Sequence, residues 1–176
     1  MRNYLFFIIA TLLFQITNAI ANENTKGKLL ATAATTSIEG SAGGGIVPWA
    51  VLSGYDTREQ FSITSFATRV DVAAYRLDSY GVSIGFYDRV ELSAAHHSFD
   101  LKRSKATIEQ NIFGAKIRLF GDVMYSDSPQ ISVGLQHKKL LDTGIATVVG
   151  ANTADSGTDI YFSATKLHLG LAAVTT

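Results

Sequence analysis

His96 and His97 are adjacent, and neighbouring histidines are the residues of this 176-residue chain that first suggest a metal site. Consecutive side chains of a β-strand point to opposite faces of its sheet, so the two rings are not expected to share one ion. Ser93 and Ser98 supply hydroxyls nearby, but a nucleophile also needs an orienting group and an oxyanion pocket. We therefore predict no metal, no cofactor and no enzymatic activity.

The composition excludes several other kinds of chemistry. The chain has no cysteine, which removes a disulfide framework and a cysteine-based zinc site or nucleophile. Lys and Arg number 15, as do Asp and Glu, so the formal net charge is zero and there is no basic face for nucleic acid. The three glycines at positions 43–45 lack the spacing of a phosphate-binding loop, and no helical pattern follows them. We predict no nucleic-acid partner.

The first 21 residues have the parts of a secretory signal peptide. Arg2 gives a positive start, and residues 5–14 are apolar or small apart from one threonine. Ala19 and Ala21 then offer the small side chains that a signal peptidase accepts. The apolar run is about half the ~20 residues that an α-helix needs to span hydrocarbon, so a membrane anchor is the weaker alternative. We predict a signal peptide over residues 1–21 and one mature domain over residues 22–176.

The mature sequence is built from segments of about ten residues in which apolar and polar side chains alternate, a pattern typical of strands that cross a membrane. Between residues 79 and 87, large apolar side chains alternate with serine and glycine. The same alternation recurs in residues 113–120 and 131–138, and more weakly in residues 161–171. We predict eight strands, at approximately residues 29–39, 46–55, 60–69, 74–87, 90–101, 108–120, 129–141 and 158–171.

Alternation alone does not say which face is enclosed, because a soluble sandwich buries its apolar face and a barrel in lipid exposes it. Large apolar side chains and connections that mostly alternate between short and long favour the barrel, although residues 70–73 are shorter than this scheme requires. Aromatic residues also lie beside the short turns, as in a periplasmic girdle. These are Tyr55, Phe86, Tyr87, Phe120 and Tyr125.

Four stretches of the mature chain resemble a known family. They run from Ser37 to Tyr55, from Tyr87 to Leu101, from Ile108 to Asp122 and from Asp155 to Gly170. Together they are similar to a family of uncharacterised proteobacterial proteins, the domain of unknown function numbered 3034. The resemblance implies an outer-membrane barrel and brings no substrate, catalytic residue or partner. Family members continue beyond Thr176, and barrels commonly end in an aromatic strand, so the resemblance also implies a truncated larger barrel.

Charged residues separate between the two ends of the predicted strands. Acidic residues collect at the turns assigned to the periplasm, and cations collect at the outer ends. We hypothesise that the cations form a rim that binds phosphates of outer-leaflet lipid. The alternative is that these loops are charged only because they are solvated. The rim residues are Lys102, Arg103, Lys105, Lys138 and Lys139.

A second set of polar residues is predicted to line the lumen. An open pore lined in this way would favour anions. In a narrow barrel the same cations, paired with Asp78 or Glu91, would instead form a plugged polar core, which is the expectation at eight strands. The predicted lumen-lining residues are Lys116, Arg118, Gln136 and Lys166.

The domain over residues 22–176 is therefore predicted to be an antiparallel transmembrane β-barrel of about eight strands in the bacterial outer membrane. The predicted function is structural or porin-like with unknown cargo, and the predicted partners are outer-membrane lipid and the barrel-assembly machinery. Two alternatives remain open. One is an exported soluble β-protein that binds a small apolar ligand in a lipocalin-like cup, and the other is a lipid-acting outer-membrane enzyme.

Overall fold

A computed structural model describes residues 35–104, 106–141 and 155–168. Within these ranges the chain forms one antiparallel sheet of six strands and no helix. The strands are β1 (Phe61–Asp71), β2 (Tyr75–Phe86), β3 (Val90–Leu101), β4 (Ala106–Phe120), β5 (Gln130–Leu140) and β6 (Ser156–Thr165). Among the described residues no helix is long and apolar enough to cross a membrane.

The strands follow one another in chain order, so strands that are consecutive in the sequence are paired in the sheet, with β1 and β6 at its two edges. The turn between β2 and β3 shows how a short local sequence determines the pairing of two consecutive strands. Tyr87 and Asp88 both have positive φ angles, 55° and 52°, and the N–H of Arg89 donates to the carbonyl of Phe86 at 2.9 Å. Two central residues with positive φ match the twist of the flanking strands, which keeps this hairpin tight.

The two faces of the sheet differ sharply in chemistry, and the register shows it. One lateral row reads Ser62, Gly85, Glu91, Lys116, Gly134 and Tyr161 across the six strands. The neighbouring row on the other side reads Ile63, Ile84, Leu92, Ala115, Leu135 and Ile160. We call these sides the polar face and the apolar face.

Burial is the reverse of what a water-soluble sheet shows. On the apolar face Ile160 is 80% exposed and Phe162 is 66% exposed, whereas on the polar face Glu91 and Lys116 are each 1% exposed. The alternation predicted from the sequence, with glycine, serine and cations on the enclosed side, is therefore confirmed for the described strands.

Residues 35–56, which we call the N-terminal segment, cover the polar face. Two isolated bridges, Thr36 with Ala42 and Gly43 with Pro48, fold the segment into tight loops rather than strands. Its inward residues are buried, while its tip at Ile46 is 74% exposed. The buried residues are Ser37, Gly40, Ser41, Ala42, Gly43, Ala50, Val51, Leu52, Ser53 and Asp56.

Six of the eight predicted strands are confirmed within a few residues, and the predicted strand over residues 46–55 is wrong. Those residues cross the polar face, because Pro48 lacks an N–H donor and the preceding glycines favour turns. Of the predicted strand over residues 29–39, the described part from residue 35 contains only the bridge at Thr36. Residues 29–34 and the predicted signal peptide lie outside the described residues.

The sheet is open in the part of the chain that the structure describes, since β1 and β6 each pair with one neighbour only. A closed barrel thus remains a prediction. The connections also alternate less regularly than predicted. Residues 87–89 are short and residues 141–155 are long, as expected, but residues 72–74 are short and residues 121–129 are long.

Candidate functional site

Glu91 and Lys116 form an ion pair at the centre of the polar face. They stand directly opposite each other on β3 and β4, with Oε1 of Glu91 3.3 Å from Nζ of Lys116. Each side chain is 1% exposed. A buried charge is tolerated when it is both paired and hydrogen-bonded, so the other partners of these two groups matter.

The carboxylate of Glu91 accepts hydrogen bonds from the N-terminal segment at two places. Oε1 accepts from the hydroxyl of Ser41 at 2.9 Å and from the N–H of Ala42 at 3.0 Å. Oε2 accepts from the N–H of Ser53 at 2.7 Å. The negative charge is thus surrounded by donors from the segment.

The ammonium of Lys116 binds the complementary groups of the same segment. Nζ donates to the carbonyl of Ala42 at 3.0 Å and to the carbonyl of Val51 at 2.8 Å. The ion pair therefore holds two passes of the backbone, around residues 41–42 and 51–53, and matches the polarity of each backbone group.

Side chains of the other strands hold the N-terminal segment on both sides of this pair. The carbonyl of Ile38 accepts from Ser79 of β2 at 2.6 Å and lies 2.6 Å from Nε2 of His97 on β3. The N–H of Ala50 donates to Thr165 of β6 at 3.0 Å. Further contacts come from Ser62 on β1 to the carbonyl of Ser53, from Gln130 and Ser132 on β5 to the carbonyl of Ala50, and from Tyr161 on β6 to Ser41. All six strands therefore bind the segment.

A second polar cluster fixes the end of the sheet that carries residues 87–89. Arg118 forms ion pairs with Asp88 and with Asp122, the latter at 3.1 Å, and donates to the carbonyl of Gly121 at 2.6 Å. Asp56 accepts from the N–H of Asp88 at 2.8 Å. Arg118 thereby ties the loop of residues 121–129 to the β2–β3 turn.

Asp122 keeps its charge within this loop. Burial by itself raises the pKa of Asp122, but N–H donors from Tyr125 at 2.9 Å and Met124 at 2.8 Å, together with Arg118, outweigh it. The net result is a pKa below the ordinary value of the aspartate side chain.

Three of the four predicted lumen-lining residues lie together on the polar face. Lys116, Arg118 and Gln136 are buried there, at 1%, 9% and 3% exposure. Lys166 follows the end of β6, and its ammonium donates to the carbonyl of Ser126 in the loop of residues 121–129. Lys116 and Arg118 are therefore paired with carboxylates, as the plugged alternative expects, whereas Lys166 contacts a backbone carbonyl.

The described residues of the predicted basic rim differ in their surroundings. Lys102 pairs with Asp71 and also donates to the carbonyl of Val72 at 2.7 Å. Lys138 lies on the polar face, where Nζ contacts Glu39 at 2.6 Å and Asp159 at 3.5 Å. Arg103 and Lys139 are exposed, and Lys105 lies outside the described residues.

Exposed aromatic side chains border the apolar face at both ends. Tyr87, Phe120 and Tyr125 are 58%, 55% and 75% exposed beside the turns where an aromatic girdle was predicted. Sequence reasoning missed a border on the opposite side of the apolar band, where Tyr80 is 55% exposed and stands in one lateral row with His96, Asn111 and Lys139. Its place seven residues before Tyr87, on the same face as Val82 and Ile84, was the available signal.

The two adjacent histidines point to opposite faces, as predicted. Nδ1 of His96 lies 2.7 Å from Oδ1 of Asn111, and its ring packs 5.1 Å from the ring of Tyr80 on the apolar side. His97 instead contacts the carbonyl of Ile38 on the polar side. Among the described residues no group of three His, Asp or Glu side chains could hold a metal ion.

Sequence reasoning also missed that the N-terminal segment is the partner of the lumen residues. The signal was present in its composition: Gly40, three consecutive glycines, Pro48 and Gly54 interrupt the alternation repeatedly within residues 35–56. Such residues mark turns rather than a regular strand.

A family model described as a protein of unknown function (DUF3034) matches residues 32–176. The chain belongs to the DUF3034 family. The match takes in the whole N-terminal segment and all six strands of this DUF3034 sheet, so the resemblance predicted from four stretches is confirmed. No curated protein and no solved structure matches the chain significantly. The family description names no activity, and membrane location stays a prediction.

Proposed function

We propose that the chain is an outer-membrane β-barrel protein whose strands cross the bilayer, with a structural or porin-like role. The observation that carries this proposal is the inverted sheet. Side chains such as Ile63, Leu135 and Phe162 are exposed on one face, while Glu91 and Lys116 are buried on the other. Contact with hydrocarbon is favourable for the apolar face, whereas the polar face is stable only on the side that points away from the lipid.

The extent of the apolar face fits a membrane better than water. Monomeric soluble proteins rarely expose contiguous apolar patches larger than a few hundred Å². Here apolar side chains fill two complete lateral rows across six strands. Tyr80 and Tyr87 lie on opposite sides of these rows, seven residues apart, which is about 23 Å along the strand at about 3.3 Å per residue.

The same observation weighs against a lipocalin-like cup as the alternative. A cup that binds a small apolar ligand needs an apolar interior, but the enclosed face here carries serines, Gln136 and an ion pair. The polar face is also already occupied by the N-terminal segment. We therefore favour a membrane protein whose interior is closed.

The expected ion conductance follows from the same geometry. With the N-terminal segment held against the polar face by all six strands, we expect little or no ion conductance from the native protein in a planar bilayer. A steady conductance of porin size would favour the open-pore role over the structural one. The proposed partners are lipids of the outer membrane, which contact the apolar face, and the barrel-assembly machinery.

The absence of cysteine makes a direct test possible. Single cysteines introduced at Ile131, Val133 and Leu135 place a fluorescent label on the apolar face of β5, and cysteines at Ser132 and Gln136 place it on the polar face. In lipid vesicles, a quencher attached to the acyl chains should quench the first set and spare the second. Labels on the first set that respond only to a water-soluble quencher would exclude the membrane assignment.

A further inference from the structure

The N-terminal segment is held on the polar face mainly by hydrogen bonds and ion pairs. In the described ranges the apolar side chains that the segment buries are Ala42, Ala50, Val51 and Leu52, and Val123 packs against Ala42 and Val51. Polar side chains from all six strands supply the rest of the attachment. Contacts of this kind can be exchanged for water at a modest net cost, whereas burial of a large apolar surface cannot.

Several buried polar atoms between the segment and the sheet have no protein partner among the described residues. They are hydroxyls and one amide nitrogen, and they lie on both sides of the interface. Buried polar groups are nearly always bonded to protein or to water, so we expect water to bond to these atoms of the interface. The residues are Ser37 and Ser53 on the segment, and Ser83, Gln136 and Ser163 on the sheet.

The Glu91–Lys116 pair is the exception to this loose attachment. The hydrogen bonds described above join Glu91 to donors of the segment and Lys116 to carbonyls of the segment. The pair holds both passes of the segment at the centre of the sheet. Among the described residues the pair makes five hydrogen bonds with the segment, three through Glu91 and two through Lys116.

We infer that residues 35–56 are a releasable plug of the polar interior, and that Glu91 and Lys116 are the latch that keeps it seated. The inference rests on the proposed function, because a sheet set in a bilayer encloses an interior that a plug can close. Release of the latch exposes the polar face of the sheet to water while the apolar face keeps its contact with lipid.

A cysteine reporter on the plug tests this inference in the full-length protein in lipid vesicles. Ser37 is 0% exposed and its hydroxyl has no partner in the described part of the chain, so Ser37→Cys removes no hydrogen bond. In the otherwise native chain a water-soluble maleimide should label this cysteine slowly. Glu91→Gln or Lys116→Met should raise the labelling rate on the order of a hundredfold, because each leaves an uncompensated buried charge.

Two control variants separate the latch from general effects of charge. Arg69 and Asp78 form an ion pair on β1 and β2, with side-chain exposures of 66% and 28%, and they do not contact the plug. Arg69→Gln with Asp78→Asn should leave the labelling rate unchanged. The charge swap Glu91→Lys with Lys116→Glu keeps an ion pair but sets the ammonium against N–H groups and the carboxylate against carbonyls. It should therefore fail to restore protection.

The outcomes distinguish this inference from the proposed function. Fast labelling of the reporter cysteine at position 37 in the latch variants, with the label at Leu135→Cys still quenched from the acyl chains, supports the plug. A reporter that stays protected in both single variants overturns it, as does protection restored by the charge swap. Loss of lipid contact at position 135 in the latch variants also overturns it, because the pair would then hold the sheet itself. Lack of lipid contact in the native background contradicts the proposed function instead.

Discussion

Gly134 and Tyr161 stand directly opposite each other on β5 and β6, and the tyrosine ring lies across the space that a side chain at Gly134 would occupy. The ring reaches over the polar face from there, so that its hydroxyl lies 3.1 Å from the hydroxyl of Ser41 on the N-terminal segment. A glycine in the middle of a strand weakens the strand, and here it makes room for this contact.

Replacement of Gly134 by alanine should destabilise the protein by about 1–3 kcal/mol, because the new methyl group overlaps the ring of Tyr161. Denaturant unfolding in detergent micelles measures the change. Gly157→Ala is the matched control on β6, since a methyl group there meets no atom within 4 Å. In the background of Tyr161→Ala the cost of Gly134→Ala should largely disappear. An equal cost in both backgrounds would show that the ring is not the obstacle.

The substitution Leu135→Arg should destabilise the protein in lipid by about 2–4 kcal/mol. This is the free-energy cost of a cation on the lipid face of a barrel near the bilayer centre. Leu135 lies in a fully apolar row between Ala115 and Ile160. Ser156→Arg is on the same face but in the row of Lys139, so its cost should be about 0–1 kcal/mol. Unfolding from lipid vesicles compares the two variants. Equal stability of both would indicate that this face contacts water.

The carboxylate of Asp122 should stabilise the loop of residues 121–129 at neutral pH and cease to do so in acid. Its pKa is lowered in the folded protein, so the unfolded chain binds the proton more tightly. The stabilisation is therefore complete above the ordinary aspartate pKa and is lost as the pH falls through the lower folded value. Asp122→Asn should lower the free energy of unfolding at pH 7 and make little difference in acid below the folded pKa of Asp122.

Asp127→Asn is the control for this pH dependence, because Asp127 is an exposed residue of the same loop. Acid titrations of the unfolding free energy should separate the two variants. A constant difference between native protein and Asp122→Asn across the whole pH range would rule out an ionic contribution.

The exposed cations Arg103 and Lys139 should contribute more to binding of phosphorylated lipid than Lys102, whose ammonium is already paired with Asp71. A basic residue near an anionic membrane surface contributes about 1 kcal/mol, so Arg103→Gln or Lys139→Gln should each weaken binding about fivefold. Lys102→Gln should have a smaller effect. Binding of solubilised protein to phosphorylated and unphosphorylated lipid provides the measurement. Unchanged binding in the first two variants would contradict the hypothesis that the basic rim binds lipid phosphates.

The strands were predictable because their signal is local. A period of two between residues 79 and 87 fixes which side chains share a face, whatever the rest of the chain does. It also assigned Lys116, Arg118 and Gln136 to the enclosed side. The same period placed Lys138 on the enclosed side as well, and its place near the outer end of the strand, which continues to Leu140, also assigned it to the basic rim.

The N-terminal segment was not predictable in the same way, because its conformation depends on distant residues. Ala50 is positioned by Thr165, and Ser41 is positioned by Glu91 and Tyr161. No window of sequence around residues 46–55 contains those partners. The short alternation in that window resembles a strand, yet the buried groups of the segment are satisfied by side chains from across the sheet.

The attachment of the N-terminal segment to every strand has a consequence for the speed of folding. The contacts Ser41–Tyr161 and Ala50–Thr165 join residues 120 and 115 positions apart, so they close only after the last hairpin has formed. Chains dominated by such distant contacts reach the native state slowly. Trp49, the single tryptophan, lies in this segment, so its fluorescence should change later than the far-ultraviolet signal of the strands during refolding. Simultaneous changes would mean that the N-terminal segment docks on the sheet while the strands are still forming.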